Sequence, residues 1–336
     1  MFNKYFSYSI SCKESLDILQ HMNLAFLEFF LEKDFIIHKK VNICSGIDKS
    51  VRFVGSHTSV LKNYMINDTI PEQGFVINQD CFKTKNLELI KKDEQILNVP
   101  SFFPCSGILS KYKYAPATIE CFLEFFIDFL QFPVSSLEIL INSTDRDLVN
   151  IFKKSKYPLI LKQDTLPKEK YLHQKFGVDH MYGRDCTIAL KNSNNSISSI
   201  AAITIIERDR IPKFVEITIS PLKVISQLCN YNSTFYCYLP SFYLLHNISQ
   251  SFIKILDCLV SVTVLFRYGL EPSNKDNRTR LFEKYIRYLQ QLISKSNFDL
   301  SELQFIQNQF EDKYFSYGKK VTNKVMLSIL KNTNKP

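Results

Sequence analysis

A chain of 336 residues, 45% apolar and 22% charged, is long enough for two domains and rich enough in apolar side chains for a core, which excludes extensive disorder. Its 42 basic and 33 acidic side chains leave a net charge of +9, compatible with a polyanionic partner without requiring one. A membrane span is excluded too: the most apolar run, Ile253 to Phe266, carries Lys254 and Asp257, whereas a span needs about 20 uninterrupted apolar residues. In chain order, the opening MFNKYFSYSISCKES lacks a charged start, an apolar stretch and a cleavage site, so a cytoplasmic protein is expected. Residues 14–33 follow as a helix, with Leu16, Leu19, Met22, Phe26 and Phe30 near helical spacing and Ser15 as its cap. Val51–Val54 and Gly74–Asn78 read as short strands, with a helix from Thr58 to Met65 between them. Lys83–Lys92 reads as a polar loop, Ser101–Phe103 and Cys105–Gly107 as strand and turn, and Ala117–Leu130 as a helix.

Beyond that the pattern alternates. Leu137–Asn142 is a strand and Asp145–Lys154 a helix. Cys186–Leu190, Ile200–Ile206 and Phe214–Ile219 are strand-like, the first two separated by the polar tract 191–199. Tyr231–Tyr243 reads as extended, and helices are expected from Ile248 onward with a break at Glu271–Asn274. Strands in the middle with helices before and after predict an α+β fold with a helical C-terminal domain. Nine scattered cysteines without a C-x-x-C spacing, and six dispersed histidines, offer neither a disulfide framework nor a zinc site.

Several segments carry a resemblance when taken in order. AFLEFFLEKDFIIHKKV (25–41) and RFVGSHTSVLKNYM (52–65) are followed by QDCFKTKNLE (79–88) and SFFPCSGILSKYKY (101–114). ATIECFLEFF (117–126), LEILINSTDRDLVNIFKK (137–154) and YGLEPSNKDNRTRLFEKYIRY (268–288) complete the set. Over residues 23–160 and 250–290 the chain resembles the alanyl-tRNA synthetase family. The resemblance implies a class II synthetase-like antiparallel sheet flanked by helices in residues 1–247, and a helical tRNA-recognition-like domain in 248–336. It also implies ATP and Mg²⁺ as cofactors, a small amino acid as substrate and tRNA as partner.

The charged residues of that family's motifs are mostly changed. An adenylating site must stabilise charge at the α-phosphate, usually with Arg and Mg²⁺. Lys83 stands where the second motif supplies Arg, and a lysine is a point charge that cannot fork two oxygens. Phe102 and Glu88 keep parts of the implied ATP site, but Pro104 replaces an expected Glu. For the third motif, Asp-Thr-Gly-x-Gly-x-Glu-Arg, the nearest stretch is Asn247–Lys254. Asn247 would then replace the Asp that holds the amino group, and Lys254 the Arg. Glu216 is carried over as a second substrate-binding candidate. Loss of a single transition-state donor typically costs ~10²–10³ in rate, so several losses disfavour ordinary alanylation.

The helix after residue 276 reads differently. Arg280, Lys284 and Arg287 recur at i, i+4 and i+7, a face suited to phosphates, with Arg278 at the helix entrance. By resemblance, Asn274 approaches the acceptor stem. Retained tRNA features beside damaged ATP motifs favour a degenerate paralogue that binds tRNA or a protein partner, with no cofactor. Two alternatives stay open. One is an altered AMP-forming enzyme passing a small amino acid to tRNA or another acceptor, and the other is a small-molecule ligase without RNA.

Overall fold

The computed structural model describes residues 15–92, 94–165, 174–191, 197–240, 248–296, 298–315 and 318–330. Helix α1 (Ser15–Glu32) buries Leu16, Leu19, Met22, Phe26 and Phe30 along one stripe. It leads to the two-residue strand β1 (Ile36–Ile37), then α2 (His57–Ile66), β2 (Phe75–Phe82) and the single-turn α3 (Asn86–Ile90). Next come β3 (Phe102–Lys111) and α4 (Ala115–Glu124), which runs on into a wide π-helical turn at Phe125–Phe129. β4 (Leu137–Asn142), α5 (Arg146–Lys153), β5 (Ile160–Asp164) and β6 (Gln174–Lys175) precede the long meander β7 (Met181–Lys191), β8 (Ile197–Arg208) and β9 (Ile211–Ile219). The rest is helical: α6 (Pro221–Leu228), a 3-10 turn at Thr234–Tyr238, α7 (Gln250–Arg267), α8 (Asn277–Ser294), α9 (Leu300–Tyr314) and α10 (Thr322–Leu330).

One sheet joins all strands in the order β1-β2-β3-β9-β8-β7-β4-β5, with β6 beside β7. Pairing is antiparallel except for β1 with β2 and β4 with β5. This is the α+β arrangement expected, an antiparallel sheet flanked by helices and followed by helices. Strand alternation divides the side chains between two faces. Val76, Ile108, Ile217, Ile203 and Cys186 lie in register on one face, buried in the main core with α1, α4, α6 and α7. Phenylalanines dominate this core near α1, where Phe26, Phe29 and Phe30 meet Phe125 edge-on or tilted with ring centroids 5.3–5.9 Å apart. Phe75, Ile77, Leu109 and Phe214 lie on the opposite face, where α2 supplies Val60, Leu61 and Met65.

The C-terminal helices are built into this core, which extends from Leu16 to Ile329 without a break at residue 248. Every residue of α7 from Phe252 to Phe266 is buried. No helix among the described residues is long and apolar enough to cross a membrane. Within α7, Asp257 accepts hydrogen bonds from the Ser101 amide and hydroxyl, both at 2.7 Å, and from the Asn86 side chain at 3.1 Å. Tyr285 of α8 joins the Ser101 hydroxyl at 2.8 Å, so the segment between β2 and β3 is fastened to two C-terminal helices.

Several sequence expectations are corrected. Residues 51–54 form no strand, and 102–111 is one uninterrupted strand rather than a strand and a turn. The segment 234–238 is a 3-10 turn rather than extended chain, the loop 83–92 contains α3, and α6 was not anticipated. Arg184 of β7 is buried in an ion network with Asp145 at 3.1 Å, Glu207 at 2.6 Å and Asp147. The eight described cysteines are free.

Candidate functional site

Beside its apolar patch, the sheet face under α2 also carries polar and sulfur-bearing side chains. Gln79, Cys81, Phe103, Cys105, Gly107, Glu216, Thr218 and Thr204 follow one another on it across β2, β3, β9 and β8. His57, the first residue of α2, lies directly on Gly107: a Cβ there would come within 2.3 Å of two ring carbons. Glycine at 107 is therefore a space requirement. The imidazole Nδ1 is 3.4 Å from the Cys105 sulfur, and Nε2 is 3.0 Å from Glu216 Oε1. The Thr58 hydroxyl donates to the same carboxylate oxygen. His57, Cys105 and Glu216 are 0%, 4% and 2% exposed. Burial pulls the imidazole pKa down, but the Glu216 carboxylate and the Cys105 sulfur outweigh it and raise it to about 10. Cys105 is held well below the ordinary thiol range by a hydrogen bond with Cys81 and, against the effect of burial, by the charge of His57.

The residues assigned to ATP from the sequence do not gather here as a set. Lys83, just past β2, is exposed; its side chain runs beside Gly55 and its Nζ sits 5.2 Å from the centroid of the Phe103 ring. Phe102 points the other way and is fully buried among Tyr238, Phe310 and Tyr314. Strand parity makes Phe103, not Phe102, the aromatic side chain that shares a face with Lys83. Glu88 is 71% exposed on α3, 3.5 Å from Lys91. Lys254 is 3% exposed inside the helical layer, and its Nζ donates to the Lys92 carbonyl at 2.6 Å. Glu216 is committed to His57 and Thr58, and Asn247 lies outside the described residues. Among the described residues no three His, Cys, Asp or Glu side chains are grouped to hold a metal ion. These side chains do not fit a common Mg²⁺–ATP site.

β9 lies beside β3 and runs into α6 after a single residue, with Glu216 on the strand and Lys223 in the first turn of the helix. Lys223 is half-buried, and burial lowers its pKa. The signal was the strand-to-helix change at Ser220-Pro221, which suits a cap and first-turn proline.

The basic helix separates into structural and exposed parts. Arg278 donates to the Cys44 carbonyl at 2.6 Å, the Ser45 carbonyl at 3.3 Å and the Arg52 carbonyl, fastening the start of α8 to the 44–52 loop. It is not free for RNA. Asp276 caps α8 through the amides of Arg278 and Thr279. Asn274, Arg280 and Arg287 are exposed and Lys284 is half-buried. Arg280 is steadied by Asn277 Oδ1 at 2.6 Å. Lys91, just past α3, lies over the Tyr288 ring of α8 at 5.7 Å, and Lys85 and Lys92 of the same segment are exposed. No spacing in the sequence indicates that Lys91 and Tyr288 meet.

No protein-family model and no curated protein matches the chain. Among solved structures it is similar to the aspartyl tRNA synthetase of Entamoeba histolytica, with TM-score 0.43 and 8% identity over 66% of this chain and 57% of that one. It is similar to the apo histidyl-tRNA synthetase of S. aureus, with TM-score 0.40 and 10% identity over 81% and 85% of the two chains. It is also similar to a pyrrolysyl tRNA synthetase of Desulfitobacterium hafniense, with TM-score 0.38 and 7% identity over 64% and 70%. The chain spans less than two thirds of the aspartyl protein. These are synthetases for three different amino acids, and none singles out the alanyl family.

Proposed function

We propose that the chain is a class II synthetase-like protein of alanyl type whose adenylating site is degenerate and which works in the cytoplasm by binding tRNA. The carrying observation is the set of cations along α8, Arg280, Lys284 and Arg287, with Lys91 at the end of α3 lying over the neighbouring Tyr288 ring. Exposed cations along a helix suit the phosphates and shape of an RNA helix better than base reading. The test is tRNA binding by the chain with Arg280→Glu, Lys284→Glu and Arg287→Glu together. Loss of affinity at low salt and a flatter salt dependence, by about one unit of log–log slope per cation that meets a phosphate, are the expected result. Unchanged affinity at low salt overturns the RNA reading and leaves a protein partner.

One observation supports a second reading, ATP-dependent activation of a small amino acid with transfer to tRNA or another acceptor. Lys223 is half-buried with no acidic partner among the described residues, as a residue kept for an anion would be. Amino-acid-dependent ATP–pyrophosphate exchange decides between the readings.

A further inference from the structure

We propose that Cys105 is a peroxide-oxidisable thiolate with Cys81 as its resolving thiol, a modification site independent of the RNA reading. The argument begins from four side chains that converge under α2. Cys105 has an imidazole nitrogen 3.4 Å from its sulfur, and the far nitrogen of that ring is 3.0 Å from a carboxylate. A carboxylate behind an imidazole favours the imidazolium, and an imidazolium beside sulfur favours the thiolate, the nucleophilic form. Cys81 and Cys105 are diagonal neighbours on one face of adjacent antiparallel strands, since Gln79 pairs with Cys105 and Cys81 with Phe103. The Cys81 sulfhydryl donates to the Gln79 carbonyl at 3.5 Å, and the two sulfurs are near enough to perturb each other's ionisation. Thr58, which holds Glu216, also lines an outer cleft of about 490 Å³ with Ser56, Ser59 and Lys62, so the cleft ends one side chain away from the Glu216 carboxylate.

Hydrogen peroxide, scarcely larger than water, is the oxidant. The Cys105 thiolate attacks one peroxide oxygen, the O–O bond breaks, and the departing hydroxide takes a proton from His57 and leaves as water. Sulfur is oxidised to the sulfenic acid while peroxide is reduced. The Cys81 sulfur then displaces the sulfenic hydroxyl, which leaves as water with the Cys81 proton, and a disulfide joins β2 to β3.

Exposure and thiolate character predict opposite targets, which makes the proposal testable in the unaltered chain. Cys44, Cys121 and Cys229 are partly exposed, but burial pushes each of their thiols up, Cys44 to about 11. Cys186, Cys237 and Cys258 are buried and also raised. The experiment is graded peroxide treatment of the folded chain, read by peptide mass spectrometry with a sulfenic-acid trap. The expected first product is a Cys81–Cys105 disulfide, and Cys81→Ser leaves trapped sulfenic acid on Cys105. His57→Gln, checked for native circular dichroism, slows this oxidation by about tenfold or more as the thiolate fraction falls. Oxidation of Cys44, Cys121 or Cys229 before Cys105 overturns the proposal. Stable sulfenic acid on Cys105 in the unaltered chain overturns the role of Cys81.

Discussion

Gly107→Ala is the most demanding probe of the buried group. The new methyl carbon would stand 2.3 Å from Cγ and Cδ2 of His57 and 2.4 Å from Nε2, so the ring must move by more than an ångström. That movement breaks contacts at 3.4 Å to Cys105 and 3.0 Å to Glu216. Overpacking alone costs about 1–3 kcal/mol, and stranding a buried charge costs about 3–5 kcal/mol. Because one displacement causes both, the larger figure is the better guide, and the expected loss is about 3–5 kcal/mol. Urea unfolding of the variant, His57→Ala and the double variant measures it. His57→Ala removes the obstacle and strands Glu216 by itself, so the double variant should be no less stable than His57→Ala alone. The coupling is then opposite in sign to the Gly107→Ala loss and of similar size. Additive losses, or a Gly107→Ala midpoint equal to that of the unaltered chain, would refute the packing of His57 on Gly107.

Other measurements address other parts of the molecule. Arg278→Ala removes the donor to three backbone carbonyls and should lower stability by about 2–3 kcal/mol in denaturant titration; a loss below about 0.5 kcal/mol would show that α8 is not fastened there. Asp257 is fully buried, and desolvation, only partly offset by Ser101 and Asn86, raises its carboxyl pKa from 3.8 to about 6. A carboxyl with a raised folded pKa is bound more tightly to its proton in the native state. Its contribution is therefore greatest below pH 4 and is lost as pH rises to 6, by about 3 kcal/mol in all. Subtracting the stability profile of Asp257→Asn from that of the unaltered chain should expose this descending step, and a flat difference would contradict it. ATP–pyrophosphate exchange with each of the twenty amino acids should stay at background for chain shown to be folded, and exchange with a single small amino acid would overturn the degenerate reading.

How legible this was depended on whether the deciding interaction was local. The stripe of Leu16, Leu19, Met22, Phe26 and Phe30 announced α1, and the turn at 271–274 announced the start of α8. Pro104 and Gly107 look like strand breakers, yet both lie inside the single strand β3. In space, β9 pairs only with Ser106–Lys111, so the missing amide of Pro104 falls beyond the end of that ladder. Gly107 is there to admit the His57 ring. Phe102 and Phe103 could be told apart only by knowing which face of the strand is covered. Arg278 looked like a phosphate ligand because its real acceptors are backbone carbonyls, which leave no trace in a sequence. The pairing of His57 with Glu216 spans most of the fold and has no spacing to reveal it.

The same pair bears on catalysis. Glu216 is a substrate-binding candidate by resemblance, and the structure places it 2% exposed against His57. A substrate ammonium could replace the imidazole only by displacing α2 from Gly107 or by leaving His57 buried without its partner. Breaking a buried pair from one side costs about 3–5 kcal/mol, which weakens binding by about 10²–10³ or more at 1.4 kcal/mol per tenfold. An amino acid that an ordinary synthetase site would hold at micromolar concentration would then need about a millimolar concentration here. The exposed cations of α8 and the α3 segment meet no such obstacle, since phosphate contacts at the surface require no buried group to be given up. The energetic asymmetry between these two sites, rather than the count of altered motif residues, is the argument behind the proposal of binding rather than chemistry.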